Sequence, residues 1–566
     1  MNFQYFLFGM IIAIYIASWK RGEQMKADLI IKSDCIFDSI SAEPYPGFVA
    51  VKGNRILAVE RGSDPSAYQG QDTVVKEFGA NTVMAGFHDS HTHLIMAGLF
   101  KTYVNLAEAK SEEEAALMVK KAADKDPDKT GWVRGFSWYH VFWDNRQMPT
   151  HASLDKYFPD RPVCLLHAEA HGAWINSAAM KIIGLTADTP DPAGGKIVRD
   201  TNGDPTGVLL EAITGLATRY AFDFTEQEEK AIIHAFMDAA KNLGITSIND
   251  VQPYYHGNMG DLEVYSQMDR AGELTVRIHA APDLTGDLDK VVEDREKYSS
   301  DKLKVDQVKQ FLDGVVTTHT ALVLDEYADE PGNIGEELCD LDSISKAVPE
   351  AHKRGLSVKL HACGDRAVRY GIDYIETAVR TYGKNQCRHA IEHLEMVSDD
   401  DFSRIKELGI IPSVQPEHLA LTQTFDANPY PEVLGKKRAD KTFPYRSLYE
   451  AAGILAIGSD CPVVDNDPFL EIFRGITRVH NDGKPEGGWT PSEKLTLAEM
   501  LKFYTHGSAY GVHRENELGS LAEGYFADII VIDKDLFSIP DTDLMERKVI
   551  MTVMDGKIIY EDPASV

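Results

Sequence analysis

The chain has 566 residues, several times the ~100 to 150 residues of a typical single domain, so we expect several domains or one large barrel with insertions. Hydrophobic residues make up 43% and charged residues 26%, as in ordinary folded globular proteins. The 58 Lys and Arg against 88 Asp and Glu give a formal net charge of -30, which repels phosphate groups and argues against nucleic acid as a partner.

The six cysteines are scattered along the chain without a CxxC pair. This pattern indicates reduced, packed thiols and is not typical of a disulfide framework or of a cysteine-rich zinc site. The cysteine usage therefore predicts a reducing compartment, and we expect a cytoplasmic protein.

Residues 1–24 contain the apolar run FQYFLFGMIIAIYIASW, slightly short of the ~20 residues that span a bilayer, followed by Lys20 and Arg21. One interpretation is an anchor that holds the protein at the inner face of the membrane, because the positive flank favours the cytoplasmic side. The other is an upstream extension, since Met25 begins the natural strand pattern MKADLIIKSDCIF. A cleaved secretory signal fits poorly, because there is no basic segment before the run and no clear cleavage site.

The two ends of the chain carry similar strand patterns, ADLIIKSDCIF from Ala27 and ADIIVIDKDLF from Ala527. Each is followed by a hairpin signal, with Gly53 and Gly556 in position to supply the positive φ of a tight turn. We therefore expect residues 25–84 and 511–566 to share one small β domain.

Between these ends a different unit recurs: a helical pattern, a glycine and a short β-branched strand. The glycine stands where a helix needs a left-handed C-cap. Alternating helices and buried strands predict a parallel sheet, and this many units favour a closed (β/α)8 barrel at residues 85–510, whose catalytic face lies where the strands end. The irregular stretch from about 100 to 220 is interpreted as an insertion that covers the mouth of the barrel.

Three histidines, His88, His91 and His93, lie within AGFHDSHTHL, after the apolar pattern VKEFGANTVMA. Because the pleat of a strand points alternate residues to one side, His91 and His93 can reach the same metal ion. A single HxH pair is weak evidence, because such pairs also occur by chance and on surfaces.

Three more polar residues stand where apolar strand patterns end: His361 in VKLHACGD, His393 in RHAIEHLEMV and Asp460 in LAIGSDCPV. Taken singly, each histidine could be a half-buried, hydrogen-bonded residue, and Asp460 could be a helix N-cap. Taken together at the ends of separate barrel strands, four histidines and one aspartate are ligands of the kind that suit zinc. We expect one or two divalent ions, Zn²⁺ in the first place, with Mn²⁺ and Fe²⁺ as alternatives.

The order of these motifs resembles the amidohydrolase superfamily. The strings GFHDSHTHL, GAWINSAAM, VKQFLDG, RHAIEHLE, SVQPEH and GSDCPV look like its amidohydrolase family 3 branch, which includes N-substituted formamide deformylases. The resemblance covers residues 25–560. It implies a distorted (β/α)8 TIM barrel with a composite β-sandwich built from both termini.

The resemblance also implies which residues hold the metal: His91, His93, Lys309, His361, His393 and Asp460. Lys309 matches a lysine that many members carry as an N-carboxylate bridging two metals. A bare ammonium beside two cations is repelled, whereas a carbamate is an anionic oxygen ligand, so carboxylation and metal binding should depend on each other. The alternative is an ordinary lysine paired with Asp313. Two positions depart from the family pattern: Ala85 replaces a proline, and His88 either supports a ligand or simply packs.

In such a site, metal lowers the pKa of water to ~7, and Asp460 would bind metal, accept the proton of the water and pass it to the leaving nitrogen. His171 in AHGAWINS is our candidate for a donor to the substrate carbonyl, with a packing role as the alternative. Gln415 and His418 follow a strand end and would line the pocket. Trp138 would form part of an apolar wall, unless the aromatic residues of this region are ordinary core.

We therefore expect a metal-dependent hydrolase that cuts a C–N bond of a small amide, formamide, urea-like or cyclic amide substrate. The same site could instead serve elimination, isomerisation or ester hydrolysis. A non-catalytic binding protein is a further alternative, which the full set of ligand residues weighs against. The expected partner is a small molecule, and a homo-oligomer is left open.

Overall fold

The computed structural model describes residues 25–126, 129–168, 172–192, 195–211, 213–251, 260–422 and 424–565. The apolar segment 1–24 and His171 lie outside the described residues, so the interpretations of both stay predictions. Within the described ranges, no helix combines the length and the apolar character needed to cross a membrane. The described residues form two compact units, one within the ranges 25–92, 239–251 and 274–565, the other within 93–238 and 260–273.

In the first unit, strands from both ends of the chain share one sheet. They are β1 (Leu29–Phe37), β2 (Tyr45–Lys52), β3 (Arg55–Arg61), β4 (Val74–Glu77), β5 (Thr82–Ala85), β21 (Ile529–Ile532), β22 (Val549–Met554) and β23 (Lys557–Glu561). The order is β23-β22-β21-β5-β1-β2-β3, with β4 paired to β1. The hairpin turns β2–β3 and β22–β23 contain Gly53 and Gly556, both with positive φ as the sequence predicts.

Parallel strands form two further sheets of the first unit. They are β6 (Phe87–Thr92), β13 (Ile245–Val251), β14 (Arg277–Ala281), β15 (Leu303–Val305), β16 (Gln307–Phe311), β17 (Ser357–Ala362), β18 (Ala390–His393), β19 (Ile411–Val414) and β20 (Ala456–Ile457). One sheet has the order β15-β14-β13-β6 and the other β16-β17-β18-β19-β20. Two parallel bridges, Asp283 to Lys309 and Thr92 to Cys461, join the two sheets at both sides.

Helices alternate with these strands. They are α6 (Glu226–Asn242), which ends in the first unit, α8 (Leu288–Lys297), α9 (Leu341–Lys353), α10 (Asp365–Tyr382), α11 (Asp401–Leu408), α12 (Tyr430–Leu434), α13 (Lys436–Ala439), α14 (Tyr445–Ala452), α15 (Pro468–Thr477), α16 (Leu497–Lys502) and α17 (Ser508–Gly511). Gly409 and Gly453 end α11 and α14 in the left-handed conformation, which an L-residue adopts only at a cost. These glycines therefore act as the C-caps that the sequence predicts.

The apolar run before the histidines is divided between two sheets, which the sequence did not indicate. β5 pairs with β1 and β21 in the sheet of the chain ends, whereas β6 begins one residue later and pairs with β13. Gly86 lies between them, and a Cβ at this position would stand 2.3 Å from the Thr246 hydroxyl oxygen. The chain therefore needs glycine where it crosses from one sheet to the other.

The second unit has its own sheet and core. Its strands are β7 (Val104–Asn105), β8 (Val133–Trp138), β9 (Val163–His167), β10 (Gly172–Ile175), β11 (Gly195–Arg199) and β12 (Pro205–Glu211), in the order β11-β12-β10-β9-β8-β7. Its helices are α1 (Leu94–Thr102), α2 (Glu112–Lys125), α3 (His151–Asp155), α4 (Ser177–Ile183), α5 (Thr214–Ala221) and α7 (Leu262–Ala271). Trp138, Trp143 and Trp174 are buried together in its hydrophobic core. The stretch 100–220, interpreted above as an insertion, lies in this unit.

A buried ion pair connects β14 to the segment just before β21 and to the β22–β23 turn. The Arg277 guanidinium, which is fully buried, donates to both carboxylate oxygens of Asp528 at 2.7 and 3.0 Å and to Asp555 at 3.2 Å. It also lies 3.9 Å from the ring centroid of Phe526. Removing one partner of a buried pair leaves an uncompensated charge, which is costly.

We expect Asp528→Asn to lower the free energy of unfolding by about 3 to 5 kcal/mol, because Arg277 loses its principal counter-charge. Asp399→Asn is the matched control, since the Asp399–Lys441 pair is exposed and should contribute less than about 1 kcal/mol. Urea unfolding of the three proteins measures both changes, and equal midpoints for the two variants would contradict this view of the pair.

Candidate functional site

Three of the predicted ligands, His91, His393 and Asp460, come together in the first unit. One ligand atom from each lies within 4.8 Å of the others, and all three side chains are buried. His91 lies in β6, His393 ends β18, and Asp460 follows β20. Two imidazoles and a carboxylate converging at this distance are a donor set that suits a divalent transition metal.

His361 lies beside this group at the end of β17. Its ring centroid is 4.2 Å from that of His393. Its Nε2 donates a hydrogen bond to the carbonyl oxygen of Gly314 at 3.1 Å, which leaves Nδ1 with a free lone pair. Burial lowers the pKa of His361 to about 3 and holds the pKa of His393 well below its ordinary value. Both imidazoles are therefore neutral, the form that binds metal.

Lys309 lies in β16 and is completely buried. Its Nζ has no hydrogen-bond partner among the described residues and lies 4.3 Å from the ring centroid of Phe311. Burial lowers the pKa of this amine to about 8. Asp313, the partner suggested for an ordinary lysine, instead accepts hydrogen bonds from three backbone N–H groups.

His91 is oriented by a buried carboxylate that the sequence did not reveal. Its Nδ1 lies 2.6 Å from Oε2 of Glu392, and the Lys359 ammonium lies 2.9 Å from Oε1 of the same group. Burial opposes the ionisation of Glu392, but Lys359 and His91 outweigh it and hold the pKa of that carboxyl well below its ordinary range. Nδ1 therefore donates to Glu392, and Nε2 faces Asp460 with 3.3 Å to Oδ1.

Two of the predicted ligands are among the non-glycine residues with a positive φ. His393 has a φ of 71° and Asp460 a φ of 62°, in the left-handed region that favours glycine. The turn at His393 allows consecutive residues, Glu392 and His393, to approach His91 together, which a regular pleat would prevent. Such conformations cost about 1 to 3 kcal/mol each and persist where the surroundings impose them, often at functional sites.

A second carboxylate, Asp89, holds the segments of His91 and Asp460 together. Its Oδ1 accepts from the backbone N–H of His91 at 3.1 Å and of Ser459 at 3.0 Å, and its Oδ2 accepts from the Ser459 hydroxyl at 2.6 Å. The backbone N–H of Asp460 also donates to the carbonyl of His91 at 2.7 Å. The two predicted ligands, His91 and Asp460, are therefore fixed relative to each other by hydrogen bonds that do not involve their side-chain nitrogen and oxygen atoms.

The two predicted pocket residues after β19 are both buried in the first unit. His418 Nε2 lies 3.5 Å from Oδ2 of Asp460, and its ring stacks on that of His393 with 5.5 Å between centroids. The side-chain amide of Gln415 has no hydrogen-bond partner in the described part of the chain. Among the residues that the structure describes, His88 is hydrogen-bonded to Asn249 and not to any of the predicted ligands: its Nε2 lies 2.9 Å from Oδ1 of Asn249.

The remaining predicted residues fall in the second unit or outside the described residues. His93 precedes α1 and is buried, and Trp138 is buried with its indole N–H donating to the carbonyl of Leu165 at 2.9 Å. The contacts of Trp138 correspond to the ordinary-core alternative. Its role in a substrate wall, the metal role of His93 and the role of His171 stay predictions.

A further group of metal-binding residue types, His352, Cys387 and His389, has ligand atoms within 4.8 Å of one another. Nδ1 of His352 and Nε2 of His389 share a hydrogen bond of 2.9 Å. Their other nitrogens bond to the backbone, with Gly383 accepting at 2.9 Å and Val358 donating at 3.1 Å. A proton therefore already lies between the two rings, and we assign no metal to this group.

The sequence matches the amidohydrolase family, described as "Amidohydro_3: Amidohydrolase family", over residues 80–560. The chain belongs to this amidohydrolase family. The prediction of a metal-dependent hydrolase acting on C–N bonds other than peptide bonds is thereby confirmed at the level of the family. Its expected partner is a small-molecule substrate.

Known proteins similar to this amidohydrolase match nearly its full length. Protein LONG AFTER FAR-RED 3 from Arabidopsis thaliana is 30% identical, covering 94% of this chain and 92% of its own length. An N-substituted formamide deformylase from Arthrobacter pascens is 27% identical, covering 91% and 95%. The crystal structure of an uncharacterized metal-dependent hydrolase from Pyrococcus furiosus aligns with a TM-score of 0.73 and 26% identity, covering 90% of this chain and 99% of that one.

We expect Glu392→Gln to lower the metal affinity of the protein by about 10- to 100-fold, because His91 loses the carboxylate that orients its ring. Metal content after dialysis against a graded chelator measures the change. Glu432→Gln, at an exposed position, is the control and should leave the affinity unchanged. An unchanged metal affinity in the Glu392 variant would show that His91 does not depend on this carboxylate for its ligand geometry.

Proposed function

We propose that this amidohydrolase hydrolyses the C–N bond of a small amide, in the range of formamides, N-acyl compounds and cyclic amides, at a divalent metal centre. The observation that carries the proposal is the convergence of His91, His393 and Asp460 within 4.8 Å at the ends of three strands. The similarity to an N-substituted formamide deformylase supports a formamide or related amide as the substrate.

The residues present fit a divalent cation, for which Zn²⁺ is our proposal. Neither ring nitrogen of His393 has a hydrogen-bond partner among the described residues, although the side chain is buried. Leaving such groups unpaired is costly, and a metal ion would satisfy one of them. We propose His91, His93, His361, His393 and Asp460 as ligands. A cation bound there supplies a Lewis acid and lowers the pKa of water.

Lys309 completes the proposed ligand set as an N-carboxylate. A buried ammonium without a partner among the described residues would repel a cation, whereas addition of CO₂ to the amine turns it into an anion with two oxygen ligands. Asp460 and Glu392 partly offset the charge of the unmodified amine. As a carbamate, Lys309 would have a metal ion as the partner that its Nζ lacks among the described residues.

The chain's own residues then divide the proton transfers. Asp460 accepts a proton from the attacking water and returns it to the leaving nitrogen. His418, 3.5 Å from Asp460, holds that carboxylate, while Glu392 keeps His91 in one tautomer. We retain His171 as the proposed donor to the substrate carbonyl.

The pairing of the strands supports the barrel and the composite β domain that we propose. The two parallel sheets, joined by bridges at both sides, form the distorted (β/α)8 barrel within residues 85–510. The sheet built from both chain ends forms the composite β domain of residues 25–84 and 511–566. Ligands at strand ends would then lie on the catalytic face of the barrel.

We expect Asp460→Asn to lower kcat by about 10²- to 10⁴-fold, the range for loss of general acid–base catalysis, while the protein stays folded. Zinc- and manganese-loaded protein is screened against N-formyl, N-acyl and cyclic amides, and the variant is compared with Asp399→Asn as an exposed control. Bound metal with no activity lost in the Asp460 variant would favour a non-catalytic binding protein.

We expect removal of CO₂ and bicarbonate during metal loading to lower both metal content and activity, and bicarbonate to restore them, because Lys309 becomes an anionic ligand only as its carbamate. Lys309→Ala should lose metal and should not respond to bicarbonate. A ¹³C NMR signal from protein loaded in ¹³C-bicarbonate reports the carbamate directly. Full metal content in protein prepared without CO₂ would contradict the modification.

A further inference from the structure

The side-chain amide of Gln415 is buried and makes no hydrogen bond to the described residues. It is 2% exposed, and neither its Oε1 nor its Nε2 has a hydrogen-bond partner among the described residues. A buried amide that bonds to nothing is costly, so buried amides are normally paired with protein, water or ligand. The metal ligands proposed above leave this amide unexplained.

Strand geometry indicates where the Gln415 side chain points. It follows β19 directly and keeps an extended φ of -123°, so it lies on the same face as Ser413. The Ser413 hydroxyl lies 3.1 Å from that of Ser90 in β6, a strand that does not pair with β19. The face shared by Ser413 and Gln415 is therefore directed across the inside of the strand array, not toward the flanking helices.

The same segment is close to the proposed catalytic group. His418, three residues after Gln415, lies 3.5 Å from Asp460. The Tyr445 hydroxyl donates to the backbone carbonyl of Gln415 at 3.4 Å, which holds this stretch in place. A small molecule that is hydrogen-bonded to Gln415 would therefore also reach Asp460.

The chemistry of a primary amide restricts what can satisfy it. Oε1 accepts and Nε2 donates side by side, so a secondary amide that meets both groups presents its N–H and its C=O on the same edge. Among secondary amides only the cis form does so. Open-chain secondary amides are overwhelmingly trans and can meet only one of the two groups, whereas a ring holds its amide in the cis form.

We propose that Gln415 selects cyclic amides or cyclic ureas by pairing with the N–H and C=O of the ring. This inference rests on the proposed hydrolase function and narrows its substrate class. Hydrolysis then adds the hydroxyl of water to the ring carbonyl carbon and a proton to the ring nitrogen. A cyclic amide opens to an amino acid and a cyclic urea opens to an amino carbamic acid, and the hydrolytic step itself releases no fragment because both ends stay on one chain.

The test compares three small amides of similar size on the metal-loaded full chain: a lactam, its N-methyl derivative and an open-chain N-alkyl amide. For the native protein, kcat/KM for the lactam should exceed that for each of the other two by about 5-fold, the effect of one neutral hydrogen bond, because each of the other two can meet only one of the two groups of Gln415. Gln415→Leu should abolish this preference for the lactam, because it removes both the donor and the acceptor of the side chain. Gln415→Glu, which keeps the shape and loses the donor, should show an intermediate preference.

Calorimetric binding of the lactam and the N-methyl lactam provides a readout that does not require turnover. Tighter binding of the lactam by the native chain, lost in the Gln415 variants at unchanged metal content, supports the inference even if no amide is cleaved. Equal affinity for both lactams overturns it and assigns the Gln415 amide to ordered water. Cleavage of open-chain amides with no effect of Gln415→Leu on the substrate ratio also overturns it, while the hydrolase function stands.

Discussion

Two segments of the chain that are 370 residues apart in sequence meet at the carboxylate of Asp89, which binds Ser459 and the backbone of His91 together. The backbone bond from Asp460 to His91 closes the same junction. A site whose ligand side chains are already held in place can take up an ion without rearranging a close-packed core. This junction fixes the spacing between the imidazole of His91 and the carboxylate of Asp460, two of the proposed ligands.

The interior of the first unit is unusually rich in buried charge at this point. Lys359 and Glu392 form a buried ion pair that also contacts His91. We infer that the pair orients the His91 ring and does not mainly stabilise the fold. Burying such groups is expensive, and hydrophobic residues of the same size are often equally stable. Their presence is explained when the charges orient a ligand. Lys309 is the exception, since it lacks a hydrogen-bond partner among the described residues, and carboxylation is our explanation for it.

The sequence was sufficient for the main elements and for several residues of the candidate site. His361, His393 and Asp460 could be predicted because each stands where an apolar strand pattern ends. Glu392 could not, because alternation in a strand places it on the opposite side from His393, and only the positive φ of His393 brings both towards His91. The role of Trp138 could not be decided from the sequence either. A sequence pattern does not distinguish a tryptophan that lines a substrate pocket from one that is buried in a hydrophobic core.

The central claim is that His91, His393 and Asp460 hold a metal ion, and anomalous diffraction at the zinc absorption edge from crystals of the zinc-loaded protein tests it most directly. The account predicts a peak about 2.0 to 2.2 Å from an imidazole nitrogen of each histidine and from a carboxylate oxygen of Asp460. Zinc bound in stoichiometric amount at another group, such as the His352 and His389 pair, with no peak between these three side chains, would contradict it.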